Sequence, residues 1–208
     1  SHYGALDSQK GLIGHLVSND CGIAGIPITR VEAACSSAAV ALRQAYMAIA
    51  GGFYDVVLAL GVEKMTHLTT EDAFTKMATG RDQEIEGIMG INPVGFYSMK
   101  ARLHMQKYGT TVEQLAKVAV KSYGNASLNP KAHFQRRITV EDVLNSPPIA
   151  PPLRRYNFCP FSDGVAAAVL VSADIARKYT DTPIFITASV QKSGYFGDNE
   201  SLLSDRAL

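Results

Sequence analysis

Cys35 combines a reactive side chain with a neighbourhood suited to using it. It follows ITRVEAA at residues 28–34 and opens a run, reaching Ala50, that is almost wholly apolar or small. A cysteine at the start of a helix meets backbone N–H groups with no intrahelical partner and the positive end of the helix dipole. That setting lowers a thiol's pKa and favours thiolate, the form that attacks carbonyl carbon. The same N–H groups, the Cys35 N–H among them, can hold the oxyanion of an acyl group in transfer. Ala33, Ala34, Ser36, Ser37, Ala38 and Ala39 are small and leave room for a substrate. The competing reading makes Cys35 a small buried apolar residue at a helix start. On spacing alone the two readings stand level.

The other reactive side chains have weaker settings. Cys21 lies in the turn NDCG with no activating partner and reads as a packing residue; Cys159, in NFCPFSDG beside an apolar strand, reads as structural. His67, His104 and His133 are scattered, as surface or satisfied-core histidines are. Three cysteines cannot all pair, and no CxxC spacing suggests zinc, so no metal is expected. The count fits a reducing compartment. HExxH, phosphate-loop and GxGxxG patterns do not occur. Asp163-Gly164 reads as a turn entering a strand, with the glycine supplying backbone freedom.

The elements around Cys35 follow from periodicity. Residues 7–24 carry a helical pattern, with Leu12, Ile13, Leu16 and Val17 on one side, Asp7 or Ser8 as N-cap, and Gly22 and Gly25 closing it. Residues 28–34 alternate as a short strand does. The run after Cys35 predicts a buried helix about 20 Å long, stopped by Gly51-Gly52. VVLALGV at 56–62 is a continuous apolar strand of the kind covered on both faces. Strand, helix and strand together predict a βαβ unit. Residues 63–163 differ: helices at 94–108 and 111–124, many loops, and the pairs Pro147-Pro148 and Pro151-Pro152. Long excursions of this kind usually carry function. VAAAVLV at 165–171 returns to the core as a strand, followed by a short helix at Asp174–Tyr179 and a strand at 183–194 that opens a second core.

Bulk properties narrow the class. With 208 residues, 47% hydrophobic and 19% charged, the chain can bury a core, and a formal net charge of +1 supports neither a nucleic-acid nor a membrane partner. The pairs Arg136-Arg137 and Arg154-Arg155 are too short to change that. No charged-then-apolar leader opens the sequence, and its apolar stretches fall well short of the roughly 20 residues a span requires. A cytoplasmic location is the default expectation. Opening at Ser1 and stopping in SLLSDRAL, the sequence is expected to be a fragment.

RVEAACSSAAVALRQAYMAIAGGFYDVVLALGVEKM (30–65) closely resembles the nucleophile region of thiolases of the sterol-carrier-protein type, above all the archaeal and bacterial acetyl-CoA acetyltransferase branch. The likeness continues through 108–134, 138–170 and 201–208, so almost the whole chain takes part. The resemblance implies an incomplete α/β thiolase fold: five-stranded mixed sheets covered by helices in αβαβα layers, with an inserted helical loop domain. Residues 1–65 would form the N-terminal core with the nucleophile helix and 66–160 the loop domain. Residues 161–182 would return to the core, and 183–208 would start the second half. It implies that Cys35 takes an acyl group from one acyl-CoA and that a second acyl-CoA, deprotonated at its α-carbon, attacks the thioester. Condensation of two acetyl-CoA to acetoacetyl-CoA is the expected reaction. A degradative 3-ketoacyl-CoA thiolase and a non-catalytic acyl-CoA-binding or assembly subunit are the alternatives. A related aldolase branch replaces the nucleophilic cysteine, so Cys35 speaks against it. The family's two catalytic histidines and its second cysteine would lie beyond Leu208. Coenzyme A enters as substrate, with no bound cofactor; Lys100, Arg102, Lys131, Arg136 and Arg137 are where its phosphates would be sought. A homodimer or homotetramer is expected, with Thr29–Ala33 pairing across a two-fold axis, and complexes with other acyl-CoA enzymes are a further expected association.

Overall fold

The apolar run after Tyr54-Asp55 forms a strand, and its partner comes from about a hundred residues further along. The computed structural model of the chain describes residues 12–80 and 82–193. Contacts divide the chain into two compact units: the described residues up to Lys76 with Ser162–Lys192, and Met77–Phe161.

In the first unit, α1 (Ile13–Asp20) ends at Cys21, whose N–H donates to the Val17 carbonyl at 2.9 Å. A 3-10 turn (Ala34–Ser36) leads directly into α2 (Ser37–Ala50). Alanines and unbranched side chains make α2 a good helix. It ends at Gly51, and the left-handed Gly52 (φ 72°) turns the chain toward β1 (Val56–Glu63). β1 pairs antiparallel with β4 (Gly164–Val171) in unbroken register, from Val56 opposite Val171 to Glu63 opposite Gly164. α2 packs on β1 and also reaches β4. Gly61 makes this approach possible: a Cβ built there would sit 2.7 Å from Ala38 Cβ in the first turn of α2.

Several expectations for this unit are corrected. Segment 28–33 lies in no ladder among the described residues, so α2 does not link two parallel strands and the βαβ unit is not formed there. Alternation marks the faces of an extended segment but supplies no neighbour to bond it. Within 183–193 no helix or strand forms either, and residue 194 lies outside the described residues. The helix expected at 174–179 is a single 3-10 turn, Ala176–Lys178. Helix 7–24 contracts to Ile13–Asp20, and its candidate caps Asp7 and Ser8, like SLLSDRAL, lie outside the described residues. β1 is not covered on both faces as expected: Val56 and Leu58 are each 43% exposed, and α2 buries only Ser37 and Ala45. Two strands and one helix have too little surface to bury apolar residues on every side.

α3 (Thr70–Ala78) spans the boundary between the units. In the second unit, α4 (Pro93–Tyr108) starts with Asn92 as N-cap and a proline in its first turn. α5 (Val112–Ala126) and α6 (Val140–Asn145) each begin with a reciprocal capping box, Thr111 with Gln114 and Thr139 with Asp142. A short pair, β2 (Pro148–Ala150) and β3 (Leu153–Arg154), follows. The core gathers Ala116, Ala119 and Tyr123 of α5 with Ile138 and Val143. Tyr123 stacks on Phe134 at 5.8 Å and meets Tyr156 edge-on at 5.7 Å. The caps Asn92 and Thr111 and the apolar periodicity of α5 account for the two helices expected here; α6 was not among the expected helices.

Candidate active site

Cys35 occupies the middle of the 3-10 turn that feeds α2, and its side chain is exposed. The residue before it has an unusual backbone: Ala34 is left-handed at φ 49°, the one non-glycine residue with positive φ among those described. That conformation costs an L-residue about 1–2 kcal/mol, so the surroundings must hold it.

They do so through two side chains. Glu32 Oε1 accepts the Ala34 N–H at 2.8 Å and lies 2.8 Å from Ser37 Oγ. Ser37, 2% exposed, accepts the Ala33 N–H at 2.9 Å. Its hydroxyl proton has two acceptors within reach, Glu32 Oε1 and the Ala34 carbonyl at 2.7 Å, and can serve one at a time. Ser36 Oγ donates to the Ala33 carbonyl at 2.7 Å, and Arg30 lies 3.8 Å from Glu32. The N–H groups of Ser36 and Ser37 are taken by the carbonyls of Ala33 and Ala34. From Ala33 to Ser37, only the Cys35 N–H donates to no protein acceptor among the described residues. An N–H left open beside a thiol can stabilise negative charge on the oxygen of an acyl group whose carbon is bound to that sulfur.

Beside this turn, a mainly apolar cleft of about 500 Å³ is lined by α1, residues 26–31, α2 and β1, with Ser37 and Ala38 on its wall; Cys35 does not line it. The end of β1 is fixed by Asp163, which precedes β4. Its carboxylate accepts the Met65 and Thr66 N–H groups at 2.7 and 2.9 Å and the Thr66 hydroxyl at 2.7 Å. These bonds, the Thr66 N–H first, hold the Asp163 pKa down to about 2. The turn read into Asp163-Gly164 is thus a clamp between the two strand ends.

Cys21 is exposed at the end of α1, so it does not pack into a core as expected; Cys159 is exposed as well, in an irregular segment. His104 bonds the Thr110 hydroxyl at 2.8 Å and lies against Tyr108; His133 lies against Phe134. Among the described residues no histidine bonds the Cys35 thiol, and no group of three His, Cys, Asp or Glu side chains could hold a metal ion. Of the cations considered for phosphates, Arg136 lies over the Phe134 and Tyr156 rings and donates to the Tyr156 hydroxyl at 3.0 Å, and Lys100 lies over Phe96. No described helix is long and apolar enough to cross a membrane. Glu32, Ser37 and Ala34 carried a readable signal only in part: a carboxylate three residues before the cysteine and a serine two after it. The left-handed alanine had none.

Residues 9–174 match the family model for the N-terminal domain of thiolases. The chain belongs to the thiolase family. An acetyl-CoA acetyltransferase of Methanothermobacter thermautotrophicus is 50% identical over 182 residues, 88% of this chain and 47% of that protein. One of Methanocaldococcus jannaschii is 44% identical over 183 residues, 87% of this chain and 46% of that one. A solved structure described as an Ltp2-ChsH2(DUF35) aldolase superposes with a TM-score of 0.64 at 30% identity, over 80% of this chain and 44% of its own. The chain spans about half the length of the curated relatives it matches. Its α/β architecture is that of part of a thiolase fold, to which the described residues of this thiolase contribute the β1–β4 pair, α2 and the helical second unit.

Proposed function

We propose that this thiolase chain carries the nucleophile of an acyl-CoA C-acyltransferase that joins two acetyl-CoA molecules into acetoacetyl-CoA and free coenzyme A. The Cys35 thiolate attacks the thioester carbonyl, the oxyanion rests on the Cys35 N–H, and the carbon–sulfur bond to coenzyme A breaks as its thiol leaves with a proton. A second acetyl-CoA, having lost its α-proton, attacks the acetyl-Cys35 carbonyl; a carbon–carbon bond forms and the thiolate is released. The observation that carries this is the open Cys35 N–H beside the exposed thiol, in a chain 50% identical to an acetyl-CoA acetyltransferase. The residues taking up the protons, two histidines and a second cysteine by the resemblance, belong to the family's other half. Residues 66–160 serve as the loop domain and contribute cations to the coenzyme A phosphates. The enzyme works in the cytoplasm without a bound cofactor.

A homodimer, or a tetramer built from it, completes the reading. The segment Thr29–Ala33 has no ladder partner among the described residues, as an edge awaiting its twin would. Light scattering that finds an active monomer removes this part. The aldolase similarity points to a second reading, cleavage of a carbon–carbon bond without an acyl-cysteine, against which the presence of Cys35 speaks. Brief iodoacetamide treatment of the full-length protein, read by peptide mass, separates the two. Cys35 should react faster than Cys21 or Cys159 and be protected by acetyl-CoA. All three thiols are exposed, so exposure alone cannot produce that order. Equal, unprotected labelling of the three overturns the acyl-acceptor reading.

A further inference from the structure

We infer that Glu32 and Ser37 are positioning residues for Cys35: a carboxylate–hydroxyl clamp that holds Ala34 left-handed and leaves the Cys35 N–H open to the substrate. The inference rests on the reading of Cys35 as the acyl acceptor. The Glu32 side chain is long enough to reach forward two residues to the Ala34 N–H and five to the Ser37 hydroxyl through one oxygen. Ser37 completes the circuit by taking the Ala33 N–H. Each N–H that flanks the thiol on its N-terminal side is thereby satisfied by a side chain, and neither competes for an incoming carbonyl. Ala34 is the pivot. Relaxed to right-handed φ, residues 33–36 would extend α2 backwards and bring the Cys35 N–H within reach of the Val31 carbonyl. The left-handed alanine prevents that extension, and the clamp holds it there against its intrinsic preference.

The test is steady-state condensation of acetyl-CoA by the full-length protein, with kcat and KM separated. Glu32→Ala should lower kcat about 10- to 100-fold with KM nearly unchanged, since a misplaced nucleophile affects the chemical step rather than substrate capture. Glu32→Gln retains an acceptor oxygen and should recover most of the loss. Adding Ala34→Gly to Glu32→Ala should also raise kcat, because glycine adopts positive φ without a holding contact. A role in fold stability alone predicts the reverse for that pair, as the extra glycine loosens the chain. Wild-type kcat in Glu32→Ala overturns the inference, as does a pair variant no faster than Glu32→Ala. If Glu32→Ala does not fold, Ser37→Ala carries the same test with the carboxylate intact, and wild-type kcat there overturns it equally. Cys35→Ala separates the two levels. Turnover retained in Cys35→Ala sinks the acyl-acceptor reading itself; turnover lost there but normal in Glu32→Ala sinks only the clamp.

Discussion

Replacing Gly61 by alanine perturbs the Cys35 turn from beneath. A Cβ at this position would stand 2.7 Å from Ala38 Cβ, where ordinary contact is 3.4–4 Å. The first turn of α2 must therefore rise by 3.4 − 2.7 to 4.0 − 2.7, which is 0.7 to 1.3 Å. Neither atom ends a flexible side chain, so the backbone has to move. Overpacking of this kind costs about 1–3 kcal/mol, against which the stiffer unfolded chain returns about 0.4–1 kcal/mol. The net expectation is a loss of about 1–2 kcal/mol, read from denaturant midpoints. Cys35 lies three residues before Ala38, so the same displacement should cost up to about 100-fold in acetyl transfer. Ala38→Gly removes the opposing methyl group, and the double variant should regain both stability and transfer. A Gly61→Ala protein with unchanged midpoint and transfer rate, or a double variant no better than the single, refutes the argument that this contact sets the height of α2.

Other outcomes follow from the clamp at the strand ends and from the second core. The Asp163 pKa is lowered from 3.8 to about 2, so its stabilising bonds are fully present above pH 3.8 and are lost as the pH falls through about 2. Acid unfolding followed by circular dichroism should lose its Asp163 component in Asp163→Asn, and an unchanged acid limb counts against the clamp. Tyr123→Ala removes the ring that meets both Phe134 and Tyr156 and should cost about 3–5 kcal/mol. Hydrogen exchange should show that loss across α5 and α6; protection unchanged there would contradict a core centred on Tyr123.

What the sequence made legible was whatever its own neighbours determine. Helices expected at 94–108 and 111–124 formed as Pro93–Tyr108 and Val112–Ala126, because a local cap, Asn92 or Thr111, starts each and apolar periodicity runs along the second. The apolar runs at 56–62 and 165–171 became β1 and β4, although nothing local revealed that they pair antiparallel with each other. Among the described residues, segments 28–34 and 183–193 formed no strand for the same reason: a strand needs a partner, and alternation does not name one. Cys35 was singled out by its position before a run of small residues, yet the device around it was hidden. Alanine has no propensity for positive φ, so only the fold reveals Ala34 as a hinge point. Asp163 read as a turn residue because its three donors lie at Met65 and Thr66, far away in sequence.

That pairing of distant residues has an evolutionary side. Glu63 faces Gly164 in the ladder, so the whole stretch between them departs and returns across one rung, about 5 Å wide. Closing a loop depends only weakly on its length, each doubling costing about 0.6 kcal/mol. Once Asp163 has stitched the rung, lengthening, shortening or exchanging what hangs from it leaves β1, and the glycine that seats α2, almost undisturbed. The residues between the strands can therefore change in length or kind while the turn bearing Cys35 keeps its footing on β1.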